Sequence, residues 1–412
     1  MASPVWVVAD DLTGAADSGA AFAEVSGPVR LLLTPVTSRE WASGAVTVVD
    51  MATRELSELD ARERTKALAD RLGRDDVVFK KVDSTLRGHI AAEVAELRDR
   101  LSDRLVVVAP AFPAAGRTTI GAVQHVHGTP LHLSGAWSFE PIDPPPSLSS
   151  LFAPMPMTSL SLADVRSSPA RLASLLDAAA GDRRLAICDA IDDQDLRAIA
   201  RAGHAMGQPI LWVGSAGLAA ALVSELSGVQ PRIGLVEATP PTIRPPRDPR
   251  FLAVVGSASS LARRQALALA AEGAKSLEFP ARVLAEADNT ALQELAAEVS
   301  TAAEAGNTVV SIAGEAESRN AAAVSQSLAT VTVPAAATSD LLLLTGGATA
   351  RAVLLRAGLT CLDILGELSP GVVLLTPTGE SQQLIVTKAG AFGDDRTLVR
   401  AVQSTYRREG AI

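Results

Sequence analysis

Cysteine is nearly absent from this 412-residue chain. Cys188 and Cys361 are the only two, too few for a disulfide framework or a zinc ribbon. Cys188 sits in the apolar run LAICDA and reads as a small core residue rather than a nucleophile. Aromatic residues make up only 3% of the chain while hydrophobic residues reach 48%. That mixture, dominated by Ala, Leu and Val, suits helices packed on parallel strands better than an all-β sandwich. No run approaches the ~20 apolar residues needed to span a bilayer, and the first residues, MASPVWVVADDL, lack the basic and long apolar segments of a signal peptide. The expectation is a cytoplasmic protein with no membrane partner. A net charge of −9 argues against nucleic acid as a partner, although a small anionic ligand needs only two or three cations. Neither a GxxxxGK[ST] loop nor a GxGxxG turn after a strand is present.

What is present alternates. A chain of this length fits two domains, and two Pro-rich stretches interrupt it. Residues 141–156 (PIDPPPSLSSLFAPMP) read as too stiff and too poor in donors for a regular element. Residues 231–249 carry six prolines and read as the main linker. The predicted organisation is one domain over 1–230, a linker over 231–250 and a second domain over 251–412. In both halves short apolar runs (VWVVA, VTVVD, RLVVVA, then FLAVV, LLLLT, LIVTK) end in polar or glycine-rich turns and give way to helical patterns. The predicted fold class is α/β, each domain a mostly parallel sheet flanked by helices. Ligands of such sheets collect at the carboxyl ends of the strands.

The unusual residues fall at those ends. Asp10-Asp11-Leu12-Thr13-Gly14 follows VWVVA. Two adjacent carboxylates there could bind a hydroxyl and accept its proton, or could simply cap the following helix. Lys80-Lys81-Val82-Asp83-Ser84-Thr85-Leu86-Arg87-Gly88-His89 follows a second strand. Lys81, Arg87, Ser84 and Thr85 could hold a carboxylate, Arg87 bidentately, with Asp83 accepting from hydroxyls; surface ion pairing is the plain alternative. The segment 110–119 adds a shaped loop and the anion-binding side chain of Arg117. His125, His127 and His132 follow without a Cys or Glu at ligand-like spacing, so no zinc site is read there.

The C-terminal half offers glycine turns at Gly256-Ser257-Ala258-Ser259, Gly346-Gly347-Ala348-Thr349 and Gly390-Ala391-Phe392-Gly393. One such turn is ordinary. Three at strand ends of one domain suggest backbone N–H groups gathered for a phosphate chain.

The motifs ADDLTGAADSG (9–19), KVDSTLRG (81–88), PAFPAAGR (110–117), VGSAGLA (213–219), GSAS (256–259), LTGGATA (344–350), GELSPGV (366–372) and KAGAFGD (388–394), in this order, resemble the four-carbon acid sugar kinases, the family of threonate, erythronate and 3-oxo-tetronate kinases. The resemblance runs from about Val5 to Asp394. It implies an N-terminal domain that binds the sugar acid, a C-terminal domain that binds ATP, and an active site in the cleft between them. Asp11, Arg54, Lys81, Asp83, Ser84 and Arg87 would then form the acid-sugar side, with Asp10 and Arg117 beside them. Ser257, Ser259, Gly346, Gly347, Ala348, Thr349 and Gly390 would form the nucleotide side. Asp11 is the expected base, with Asp83 and Asp10 as rivals. The implied cofactors are ATP and Mg2+, the ion held mainly through phosphates and water. A homo-oligomer is compatible with the sequence, which carries no pattern that decides it.

The chain departs from the family pattern in three places. Leu133-Ser134-Gly135-Ala136-Trp137 replaces a segment that usually carries a carboxylate, His89 stands where Asn is usual, and Ala391 where a third glycine is common. A non-catalytic sugar-acid or nucleotide-binding protein on the same fold is the alternative reading. A dehydrogenase is disfavoured by the missing GxGxxG.

Overall fold

Short apolar runs bounded by polar turns become strands in the computed structural model, which describes residues 4–26, 29–33, 46–138, 140, 142–227, 250–257, 259–314, 320–379, 381–390 and 392–410. The chain divides into two compact units, residues 1–233 and 234–412. Apart from Arg250, the Pro-rich linker expected at 231–250 lies outside the described residues.

The first unit contains β1 (Val5–Ala9), β2 (Val29–Leu32), β3 (Val46–Asp50), β4 (Val77–Lys81), β5 (Leu105–Ala109), β6 (Arg117–Ile120), β7 (Val123–Val126), β8 (Thr129–Pro130), β9 (Met157–Leu160), β10 (Leu185–Cys188) and β11 (Ile210–Gly214). Eight of them form a wholly parallel sheet in the order β2-β3-β1-β4-β11-β5-β10-β9. Most of its strand residues are buried, as expected of a sheet covered on both faces. Right-handed crossovers dictate the layers. The chain moves one way along the sheet from β1 to β2 and the other way from β3 to β4. Helix Leu12–Ser26 therefore lies on one face with 193–205 and 216–227, and helix Glu58–Ala69 packs on Ile90–Arg100 on the other. The divergence opens a crevice between the carboxyl ends of β1 and β4. Strands β6, β7 and β8 form a separate antiparallel sheet, where the sequence showed only a shaped loop. The Pro-rich 141–156 stretch also differs from expectation. Past its last consecutive proline, Ser147 caps a one-turn helix, Leu148–Leu151, through a reciprocal bond pair with Ser150, since the prolines end before the first N–H the turn requires.

The second unit contains β12 (Phe251–Val255), β13 (Lys275–Pro280), β14 (Thr308–Ala313), β15 (Leu341–Thr345), β16 (Cys361–Ser369), β17 (Val372–Pro377) and β18 (Leu384–Lys388). Their order is β13-β14-β12-β15-β18-β17-β16, parallel through β18 and antiparallel across β17 and β16. Crossovers again diverge at β12 and β15. Helix Ser260–Ala271 packs with Thr397–Gly410 on one face, while 289–305, 321–336 and 347–356 pack together on the other.

Cys188 is fully buried on β10, and burial, reinforced by Asp189, pushes its thiol up; it is an inert core residue. Lys80 overturns its appearance as part of a polar loop. It lies wholly inside the first unit with its Nζ 3.0 Å from Glu93 Oε2, both side chains at most 1% exposed. The contact is off the line of a directed hydrogen bond and is therefore ionic, while Thr53 donates its hydroxyl to the other Glu93 oxygen. Removing one partner of such a pair strands a charge in the core. Glu93→Ala should lower the unfolding free energy by about 3–5 kcal/mol in urea titrations, and Lys80→Met with Glu93→Leu should recover most of it. A single variant as stable as the parent would show the pair to be dispensable.

Candidate active site

The crevice of the first unit is lined by residues from three adjacent strand ends. After β3, Ala52 turns in the left-handed region (φ 46), and the N–H groups of Thr53 and Arg54 bond to the Asp10 carbonyl. The turn thus lies over the end of β1 and delivers Arg54 to both carboxylates. Its Nε donates to Asp10 Oδ2 and its Nη2 to Asp11 Oδ1, each at 2.8 Å. Asp11 also accepts from Thr13 Oγ1 (2.7 Å) and the Gly14 N–H (3.1 Å). Asp11 thus caps the helix, the plain alternative in the sequence, and pairs with Arg54 through the same side chain. Gly14 leaves room for both side chains, because a Cβ there would stand 2.7 Å from Lys81 Nζ and 2.6 Å from Asp11 Oδ1 and displace them.

Asp83 is more heavily committed. Thr85 donates its hydroxyl to Oδ2, and Arg87 closes a fork on both oxygens at 2.8 and 3.2 Å. Burial alone would raise this carboxyl, yet Arg87 and Arg54 hold it well below the usual range. Asp10 is likewise held low against burial by Arg54, Lys80 and Lys81. Arg87 therefore presents its fork to Asp83 rather than to solvent, and its remaining Nη1 faces Glu140 at 3.8 Å. Two cations keep donors in reserve. Lys81 Nζ bonds the Val82 carbonyl at 2.9 Å, and Arg117, which bonds the Ala115 carbonyl, has a buried Nε with no partner. Arg117 feels both Asp83 and Arg87, so it belongs to the same cluster.

The small antiparallel sheet fixes this loop from the side. Gln124 donates to the Ser84 carbonyl (2.8 Å) and Trp137 Nε1 to the Thr85 carbonyl (2.7 Å). Asp189 accepts from the N–H groups of Gly121 and Ala122 at the hairpin tip. Leu86, buried with φ 63, occupies a conformation uncommon for its type, one that this surrounding structure imposes. Trp137 thus gives the atypical 133–137 segment a definite role. His89 Nε2 meets the Leu56 carbonyl at 2.6 Å and His125 Nδ1 the Val123 carbonyl at 3.0 Å. Among the described residues no group of three or more His, Cys, Asp or Glu is placed to hold a metal ion.

In the second unit the three glycine turns end adjacent strands β12, β15 and β18 and pack on one another. A Cβ at Gly256 would lie 2.0 Å from Thr349 Oγ1, and one at Gly390 2.5 Å from Ser257 Oγ. Gly346 has φ 87, its Cα side facing the Gly256-Ser257 backbone, and begins helix Gly347–Arg356. Ser259 Oγ caps the helix at 260 and also reaches the Gly390 carbonyl at 3.3 Å. Thr349 meets Ser325 at 3.2 Å. Ser257, Ser259, Gly346, Gly347, Thr349 and Gly390 are thereby brought together in one cradle, with Ala348 in the first turn of the helix. Ala258 and Ala391 lie outside the described residues.

Residues 5–222 match the model of a sugar-binding N-terminal domain and residues 252–398 that of a nucleotide-binding C-terminal domain. The chain is 35% identical to a D-threonate kinase of Cupriavidus necator, covering 97% of each protein. It is 33% identical to a D-threonate kinase of Bordetella bronchiseptica, covering 98% of each. A Salmonella typhimurium LT2 protein described as a candidate tRNA synthase has the same fold, with a TM-score of 0.80, 20% identity and 97% and 99% coverage. The chain belongs to the four-carbon acid sugar kinase family, built from a sugar-binding and a nucleotide-binding domain.

Sequence reasoning passed over Asp17, in the first helix behind this crevice. Burial raises its carboxyl from 3.8 to about 6, with Lys81 opposing and Asp11 adding to the rise. Between those values the folded state binds the proton more tightly than the unfolded chain, so this group's contribution to stability declines as pH rises. Asp17→Asn removes that slope. The melting temperature of the variant relative to the parent should increase from about pH 4 to about pH 6 and then level off. An offset independent of pH would refute the assignment.

Proposed function

We propose that the protein is an ATP-dependent kinase that transfers the γ-phosphoryl group to a hydroxyl of a four-carbon sugar acid, with D-threonate the first candidate and erythronate and 3-oxo-tetronate next. The observation that carries this reading is the pairing pattern in the first crevice. Its carboxylates are each engaged by an arginine, while Lys81 and Arg117 keep unspent donors. Such a site is built to receive one more anion together with hydroxyl groups.

Lys81 and Arg117 would hold the substrate carboxylate. Arg54 and Arg87 would act at one remove, fixing Asp10, Asp11 and Asp83, while the Ser84 hydroxyl would meet a sugar hydroxyl. Of the three aspartates, Asp11 is the most accessible, with 17% of its side chain exposed against 1% for Asp10 and 13% for Asp83. Asp11 would orient the attacking hydroxyl. The hydroxyl oxygen forms a bond to the γ-phosphorus as the bond to the β,γ-bridging oxygen breaks, ADP departs, and the hydroxyl proton passes late to the Asp11 carboxylate. The glycine cradle of the second unit suits a phosphate chain, since three turns and a helix N-terminus bring backbone N–H groups to one place. Mg2+ would arrive with the phosphates, neutralising their charge. We assign the protein to the cytoplasm, where ATP is supplied.

Asp11→Asn preserves shape and most hydrogen bonding, so kcat should fall by about 10²–10⁴ with nucleotide affinity unchanged. A variant that keeps kcat and raises KM for the acid would move the base to Asp83 or Asp10. Gly347→Val should weaken nucleotide binding and spare sugar-acid binding, because a branched side chain at the helix start blocks close approach to phosphates. Unchanged nucleotide affinity, measured calorimetrically, would refute the cradle.

A further inference from the structure

Lys388, the last residue of β18, belongs to no part of the site described so far. Its side chain is fully buried, yet among the described residues no carboxylate pairs with it. Its Nζ instead donates to three carbonyls of the turn that follows, those of Ala389 (2.7 Å), Gly390 (3.2 Å) and Phe392 (3.0 Å). In a trans peptide the C=O and the next N–H point in opposite directions. Drawing these carbonyls inward to one cation therefore turns the following N–H groups outward, those of Gly390 and Gly393 among them. A run of outward N–H groups is an anion-binding concavity, and Gly390 already adjoins Ser257 in the cradle.

We propose that Lys388 is a positioning residue for the nucleotide, whose ammonium shapes the Gly390 turn from within so that its N–H groups face the phosphate chain. This inference rests on the assignment of nucleotide to the second unit. Lys388 does not itself reach the phosphates, since its three donors are spent on carbonyls.

Burial, with no charged neighbour contributing, lowers the Lys388 ammonium from 10.5 to about 8. The surroundings agree. Its sheet partners Thr345 and Val372 are uncharged, and Gln265, from helix Ser260–Ala271, donates to the Phe392 and Asp394 carbonyls. The nearby charges are paired with one another, Asp394 with Arg400, Asp395 with Arg264 and Arg396 with Glu272, each at 2.7 Å. As pH rises through about 8 the ammonium becomes an amine with two donors for three carbonyls, and the turn loses its organiser. Stability follows the opposite course. The folded lysine releases its proton before the unfolded one does, so stability rises with pH between about 8 and 10.5. A purely structural lysine would not make affinity and stability diverge.

The test uses the full chain and MgADP as probe. Binding by the parent near pH 7 establishes the nucleotide site; its absence would sink the underlying assignment together with this inference. Lys388→Met should then bind MgADP about ten- to a hundredfold more weakly, with KM for the sugar acid nearly unchanged and thermal stability at neutral pH kept or raised, because an unpaired buried charge has gone. Parental affinity in the folded variant would overturn the inference while leaving the nucleotide assignment intact. Should the variant fail to fold, the parent alone decides. From about pH 7.5 to about pH 9.5, where ADP is fully ionised, its affinity should fall while its melting temperature does not. A flat affinity profile, or one that merely tracks melting, would overturn the inference.

Discussion

Burial of a parallel sheet on both faces is the constraint from which the rest follows. Strands β1, β3, β4 and β5 are almost entirely buried, so their side chains have no room for reactive polar groups unless these are paired. Chemistry is driven to the strand ends, and divergent crossovers choose which ends. In the first unit that rule selects β1 and β4, placing Asp10 and Asp11 opposite Lys81 and Asp83. In the second it selects β12 and β15, placing Gly256 and Ser257 opposite Gly346 and Gly347. One topological device produces two unlike sites because the turns carry unlike residues.

The first site is organised by charge compensation rather than by exposure. Removing three carboxylates from water is costly, and Arg54 and Arg87 offset that cost with charged hydrogen bonds of 2.8 Å. The arginines are thereby fixed, and with them the aspartates. Gln124 and Trp137 then hold the backbone carbonyls of Ser84 and Thr85, which stabilises the left-handed Leu86 that follows. These contacts order the aspartates without a ligand, and such order is what a site must supply when positioning does most of the work of phosphoryl transfer.

The turns were legible in the sequence because each is an abrupt change of chemistry, an apolar run followed by DD, KKVDSTLR or GG. Helix and strand alternation was legible for the same reason. Pairings were not. Nothing local in the sequence says that Glu93 faces Lys80, or that Trp137 reaches Thr85 across 52 positions; these follow from the folding of a whole unit. Asp17 was hidden in a helix whose other residues are mostly small and apolar, where a single acid resembles a solvated position. The β6–β8 sheet escaped because its strands are two to four residues long, shorter than any periodicity can register. The bidentate reach read into Arg87 is realised within the chain on Asp83, four residues earlier, a pairing that the sequence did not single out.

Two buried lysines show why the partner matters more than the burial. Lys80 lies one residue before the end of β4 and Lys388 ends β18, and both are wholly enclosed. Lys80 meets a carboxylate, so its charge is cancelled and locked, and losing Glu93 would leave it uncompensated. Among the described residues Lys388 meets only carbonyl dipoles, which solvate a cation without neutralising it, so the penalty of burial is felt in full and its proton is held less tightly. The first arrangement makes a strut. The second makes a cation whose hold on its turn depends on conditions, because the carbonyls that it gathers also help to keep it charged.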